Sequence, residues 1–238
     1  MDKKLNGEDN IFLLFDTETT GLFHTKDKPK EGIIKARDPM KYPEDYPRVF
    51  QLAFILINQE GKILDQFSSF IKPDGWNIPK ERSDPDKPNF WEEYGYTDEL
   101  CEREGVPAIE AFTKFSEAVS KADYLVAHNL GFDRLVMLAE LARYKIKVNR
   151  KTKPGLLCTM LSSIDFVEAK HSAENIAKWD FLRNKFKYPK LEELHEKLFS
   201  YGFDGAHDAL NDVKAMFKCM TALFHLGIMS YDKQFVPD

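Results

Sequence analysis

Asp16 and Glu18 stand two residues apart at the end of Ile11-Phe-Leu-Leu-Phe15, the most apolar strand-like run of the chain. Side chains two apart on a strand share a face, so these carboxylates would be neighbours. Two like charges at the end of a buried strand repel and lose hydration unless something positive compensates them. A divalent cation does so directly, and hard oxygen donors select Mg²⁺ or Mn²⁺ over zinc. The competing reading of so short a pattern is a strand end opening into solvent, with Asp16 and Thr17 capping a turn.

Two further segments offer groups for the same chemistry. Ala127-His128-Asn129-Leu130-Gly131-Phe132-Asp133 runs off a short apolar stretch into a helical pattern. Asp133 falls in the first turn, where a carboxylate gains about 0.3–1 kcal/mol from the helix dipole whether or not it has a ligand. Gly205-Ala-His207-Asp208-Ala-Leu-Asn-Asp212-Val213 opens the best amphipathic pattern of the chain. Asp212 precedes Val213 and so lies at the margin of the apolar stripe. On a formed helix five residues turn about 500°, some 140° from alignment, so His207 can converge with Asp212 only from a cap or loop position. Asp208, four residues before Asp212, is either a rival ligand or the helix N-cap.

The elements that must position these groups are legible in outline. Ile11–Phe15, Val49–Ile57, Ile63–Ile71, Tyr124–Ala127 and the weaker Gly155–Cys158 read as strands. Asn58-Gln-Glu-Gly61 joins the second and third as an antiparallel hairpin. Helical periodicity covers Ala108–Val119 and the set Phe132, Leu135, Val136, Ala139 and Ala142. It is strongest in Val213, Met216, Phe217, Met220, Leu223 and Phe224, with Gly227 as terminator. Strands followed by strand–helix alternation predict an α/β or α+β sheet with helices on its faces. Irregular, proline-rich 23–47 and weakly patterned 164–187 read as insertions in one domain spanning 1–238.

The chain has 238 residues, formal charge −5 and 31% charged residues, an ordinary globular balance. Its acidity argues against a generic nucleic-acid coating protein. The charge is uneven: Lys26–Lys41 carries six basic residues against three acidic, Lys145–Lys153 five against none, and Glu81–Glu104 three against nine. Solvated faces are the simplest reading of such runs. Three cysteines, Cys101, Cys158 and Cys219, cannot all pair and match no zinc spacing, which points to a reducing, cytoplasmic setting. No apolar run approaches the ~20 residues of a membrane span, and the polar N-terminus is no signal peptide.

Taken together, the D-x-E pair, the helix-opening Asp133 and the H-x₄-D pair His207/Asp212 resemble, in order and spacing, the DEDDh group of 3′–5′ exonucleases. That group includes the proofreading epsilon subunit of bacterial DNA polymerase III, ribonuclease T and oligoribonuclease. The resemblance implies a ribonuclease H-like fold, a mixed five-stranded sheet flanked by helices. It implies that Asp16, Glu18 and Asp212 hold one metal, that Asp16 bridges to a second reached by Asp133 mostly through water, and that His207 is the general base. The cofactors implied are two Mg²⁺ or Mn²⁺. Thr19 would meet the terminal 3′-hydroxyl through its backbone, Leu22 or Phe23 would wedge against the last base, and Asn129 would touch the nucleotide backbone.

The implied activity is release of nucleoside 5′-monophosphates from 3′ ends, on single-stranded DNA ahead of RNA. The partners are nucleic acid and, transiently, a DNA polymerase, with no membrane. The alternatives are an RNA 3′-end-trimming enzyme, an internal-cutting ribonuclease, or a catalytically weak binding module of the same fold. Three departures from the relatives stand out. Tyr94-Gly-Tyr-Thr97 replaces a His-Gly-Ile-Thr string, and Cys158-Thr159 an Asp-Thr pair. Only 26 residues follow Asp212, which favours a free-standing enzyme over a stable polymerase subunit. Lys26–Lys41, directly after the D-x-E motif, is expected to form a flap on the substrate's phosphates.

Overall fold

The computed structural model describes residues 10–22, 37–82 and 86–231. Five strands, β1 (Phe12–Thr19), β2 (Val49–Ile57), β3 (Ile63–Phe70), β4 (Tyr124–Ala127) and β5 (Gly155–Cys158), form one mixed sheet in the order β3-β2-β1-β4-β5. The first three run antiparallel, and β4 and β5 add in parallel to β1. The β2–β3 hairpin closes through Asn58–Gly61, where Gly61 takes φ +80°.

Between and after the strands run α1 (Phe90–Glu93), α2 (Asp98–Glu104), α3 (Ala108–Lys121), α4 (Leu130–Arg143), α5 (Thr159–Ser162), α6 (Ile164–Val167), α7 (Ala173–Lys178), α8 (Leu191–Phe199) and α9 (Ala209–His225). The sheet therefore carries helices on its faces, as expected. Among the described residues no helix is long and apolar enough to cross a membrane.

Strand β1 is central and buried on both faces, and its alternation decides where chemistry can occur. Leu13 and Phe15 enter one core with Phe112 and Phe115 of α3 and Val136 and Met137 of α4. Phe12 and Leu14 enter the other, with Val213, Met216 and Met220 of α9. Continuing the alternation puts Asp16 and Glu18 on the α9 face and Thr17 on the α4 face.

Helix α4 corrects the expected apolar face. The buried residues are Leu130, Asp133, Val136, Met137, Ala139, Glu140 and Leu141, whereas Phe132, Leu135 and Ala142 are only partly covered. Two buried carboxylates share the inner face, because seven residues bring Glu140 to within about 20° of Asp133. Hydrophobicity alone assigns acids to the outside and so rotates the helix.

Glu140 is fully buried, and its Oε1 accepts from Arg48 Nε (3.0 Å) and Val49 N (3.0 Å) and pairs with Arg143 (2.9 Å). Arg143 in turn donates to the carbonyls of Pro43 and Tyr46. This triad ties the approach to β2 onto α4. Removing one partner strands buried charge, so Glu140→Ala should cost about 3–5 kcal/mol in chemical denaturation. A loss under 1 kcal/mol would show that the triad is not a structural tie.

The two insertions differ in what is seen of them. Residues 23–36, most of the basic flap, lie outside the described residues. Of its remaining cations, Arg37 pairs with Asp45 at 2.5 Å and Lys41 sits 3.9 Å from Asp38, so both are engaged within their own loop. Residues 164–187 form short, largely exposed helical pieces. The basic run 145–153 is more than solvated surface, because Arg150 donates to the carbonyls of Val119 and Ala122 where α3 ends.

Candidate active site

The site forms where the C-terminal end of β1 meets the N-terminal ends of α4 and α9. Asp16 lies opposite Ala53 and Glu18 opposite Gln51, and a register shift follows Glu18 as the strand ends. Asp133 approaches from the α4 face: its Oδ1 accepts from Thr17 N (3.2 Å) and Thr17 Oγ1 (2.8 Å). The residue between the two strand carboxylates thus holds the third.

The approach to α9 places the remaining pair. Asp208 is the N-cap, with Oδ1 accepting from Asn211 N at 3.1 Å. Its Oδ2 accepts from Gln51 Nε2 (2.9 Å), and Gln51 Oε1 accepts from Ala209 N (3.2 Å). This two-point clamp pins the helix start to β2 beside Glu18, and it occupies Asp208 as a cap. His207 precedes the helix at φ +69°, outside the helical spiral, and its N–H donates to Asp212 Oδ2 at 3.1 Å. One ligand atom each of Glu18, His207 and Asp212 lie within 4.8 Å of one another.

The acidic segment 81–104 supplies a wall for the histidine. The His207 ring stands 4.7 Å from Tyr94 and 5.2 Å, edge-on, from Phe90, while Tyr96 Oη donates to the His207 carbonyl. Tyr94 and Tyr96 belong to the string that departs from the relatives, so the departure bears on the histidine itself. Glu192 Oε1 lies 3.9 Å from His207 Nε2. Glu192 comes from a segment without a motif, and Gln51, which stands where relatives of the resembled group place a Glu or Gln, serves here as a clamp that spacing does not announce.

Burial, and after it mutual repulsion, raises the proton affinity of all four carboxylates. Burial and then the charges of Asp133 and Asp208 hold Asp16 well above the ordinary carboxylate range. Burial and the Asp16 and Asp212 charges push Glu18 up to about 10. Burial lifts Asp212 to about 8, with Asp16 adding to it and the His207 N–H opposing. Asp133 rises only to about 7, because burial is countered by its bonds from Thr17. Such a cluster is strained without positive charge, and its hard oxygen donors suit Mg²⁺ or Mn²⁺. A nitrogen donor from His207 can join it or serve as a base beside it.

Of the substrate-contact candidates, Thr19 ends β1 and Asn129 immediately precedes α4. Thr19 Oγ1 donates to the Gly21 carbonyl (2.8 Å), and the Thr19 carbonyl accepts from Trp91 Nε1 (3.1 Å). Leu22 projects outward at 76% exposure, and Phe23 lies outside the described residues. Asn129 takes φ +74° before α4 without capping it through its side chain. His128 is a packed histidine: Nε2 donates to the Pro189 carbonyl, Nδ1 accepts from Thr159 Oγ1, both at 2.9 Å, and burial lowers it to about 4. Cys158 is buried within the α4-side core.

No protein-family profile matches the chain, and no curated protein matches it. Solved structures do. E. coli exonuclease I bound to a dT13 oligonucleotide superposes over 90% of this chain with TM-score 0.59 and 17% identity. The two share a fold. Exonuclease I described as suggesting how processivity is achieved matches over 94% with TM-score 0.59 and 18% identity. A moderately thermophilic exonuclease I from Methylocaldum szegediense matches over 91% with TM-score 0.56 and 18% identity. This chain spans about two fifths of each of those chains, at 40–42%.

Proposed function

We propose that this chain is a metal-dependent 3′–5′ exonuclease that acts as one domain and releases nucleoside 5′-monophosphates, with single-stranded DNA as its principal substrate. The observation that supports it most is convergence. Asp16 and Glu18, Asp133, and His207 with Asp212 come from three distant segments and meet at one strand end, where the buried carboxylates raise one another's proton affinity. A weak binding module would have no reason to hold four mutually repelling carboxylates together. Exonuclease I, whose fold this is, has been crystallised with dT13 and dA16, which supports DNA as the polymer.

In this reading Asp16, Glu18, Asp133 and Asp212 would hold the divalent cations. Such cations, when bound, would supply Lewis acidity toward a water and toward the oxygens of the phosphate. The protein's own groups supply the rest. His207 takes the proton of the attacking water through a ring nitrogen, a role suited to imidazole at neutral pH. Its backbone N–H holds Asp212, so base and ligand are set by one turn. Thr17 fixes the orientation of Asp133, and the Gln51 clamp fixes where α9 begins. Thr19, Leu22, Phe23 and Asn129 are the contacts proposed for the terminal nucleotide.

Product analysis tests this reading. Incubation of dT20 and rU20 with Mg²⁺ or Mn²⁺ should give nucleoside 5′-monophosphates as the first products, faster from DNA. First products of several nucleotides would instead indicate internal cutting, and a faster reaction on rU20 would assign RNA end-trimming.

A further inference from the structure

Trp179, Phe181 and Tyr188 are 52%, 63% and 64% exposed, and none contributes to either core. The Trp179 and Phe181 rings lie 6.3 Å apart at 59°, and Lys185 Nζ sits 5.4 Å from the Phe181 centroid. Large aromatics held in water need a reason, and their neighbours indicate which one. Residues 178–190 carry five cations, Lys178, Arg183, Lys185, Lys187 and Lys190, against the single anion Asp180, in a chain of net charge −5.

Arg183 is paired with Asp180 at 2.8 Å and Lys187 with Glu193 at 2.5 Å. Lys178 and Lys185 are exposed, and no described carboxylate pairs with either. The core of a protein–protein interface is depleted in lysine. Surfaces for single-stranded nucleic acid combine exposed rings, on which bases stack, with cations along the backbone.

The segment also leads to the carboxylate cluster. The Pro189 carbonyl accepts from His128 Nε2 at 2.9 Å, one residue before Asn129 and the helix of Asp133. Three residues further on, Glu192 reaches 3.9 Å from His207 Nε2. We propose that residues 178–190 are a binding surface for single-stranded nucleic acid, on which bases stack against Trp179, Phe181 and Tyr188. Lys178 and Lys185 meet the phosphates, and the strand continues from there to the cluster. Its role in feeding the cluster rests on the exonuclease reading. Binding to the surface does not require cleavage.

The test uses the full chain carrying Asp16→Ala, without divalent metal, and fluorescently labelled dT20 followed by anisotropy. Because each stacked ring carries much of a base's binding, Trp179→Ala with Phe181→Ala should weaken binding about 10-fold or more. Trp179→Phe with Phe181→Tyr, which keeps both rings, should restore most of it. Lys178→Ala with Lys185→Ala should lower the slope of log affinity against log salt by about 1.4, near 0.7 per lost contact. Unchanged dT20 affinity in the ring-less double variant, with its melting temperature retained, would overturn the proposal. So would loss of self-association in that variant with dT20 affinity intact, which would make the patch a protein interface. Stacking-dependent binding by a wild-type protein that cleaves nothing with metal would sink the exonuclease reading and leave this surface standing.

Discussion

Asp16→Ala should abolish nucleotide release and, in the absence of divalent metal, raise the melting temperature at pH 8. Both follow from one cause. Asp16 is the largest charge influence on both Glu18 and Asp212, ahead of Asp208, and it is itself held well above its ordinary range by burial and then by Asp133. Deleting it would remove a proposed metal ligand and relieve its neighbours.

The sign with pH follows from linkage. Carboxylates whose affinity for protons is raised by folding keep protons that the unfolded chain has already lost. Stability is therefore full below the ordinary carboxylate range near pH 4 and falls as pH rises through the folded values of about 7 for Asp133 and about 8 for Asp212. Metal-free wild type should lose melting temperature between pH 5 and 8, and Asp16→Ala should lose less. Saturating Mg²⁺ or Mn²⁺ should reverse the loss in wild type alone. At a hundredfold excess over Kd the gain is about 2.7 kcal/mol, or roughly 5–10 °C for a chain of this size. A wild-type melting temperature indifferent to both pH and metal would show that the cluster holds no cation.

The second large effect is at His207. Removing a general base slows hydrolysis by about 10²–10⁴. His207 occupies the left-handed region, where alanine is strained and asparagine is tolerated. His207→Asn is therefore the cleaner variant: it keeps the turn and the N–H that holds Asp212, and it removes the imidazole. His207→Ala should show the same rate loss together with a small loss of stability. Wild-type turnover of His207→Asn at neutral pH would remove His207 from the mechanism and leave it as wall or ligand.

The strands and the helix faces bearing only hydrocarbon were legible because burial writes a period into the sequence. Val49–Ile57, Tyr124–Ala127 and Gly155–Cys158 stand where the apolar runs put them. The inner face of α4 was legible only in part, since Asp133 and Glu140 are held by partners 116 and 92 residues away, Thr17 and Arg48, that no local pattern announces. Within the candidate site, the resemblance proposed the four carboxylates that the structure brings to one strand end, and spacing required His207 to lie off the helix, where it stands at φ +69°. Spacing could not supply the Gln51 clamp, the Phe90–Tyr94–Tyr96 wall or Glu192. Those depend on which loops the sheet order brings to the end of β1, a property of topology and not of any one segment.

The central claim is that the cluster removes nucleotides from a 3′ end. It is tested most directly with a 5′-labelled single-stranded DNA of defined sequence, incubated with Mg²⁺ or Mn²⁺ beside Asp16→Ala and resolved at single-nucleotide resolution. We predict a ladder that shortens stepwise from the 3′ end with wild type and an unaltered band with Asp16→Ala. An unaltered band with folded wild type in both metals, or equal shortening by both proteins, would contradict it.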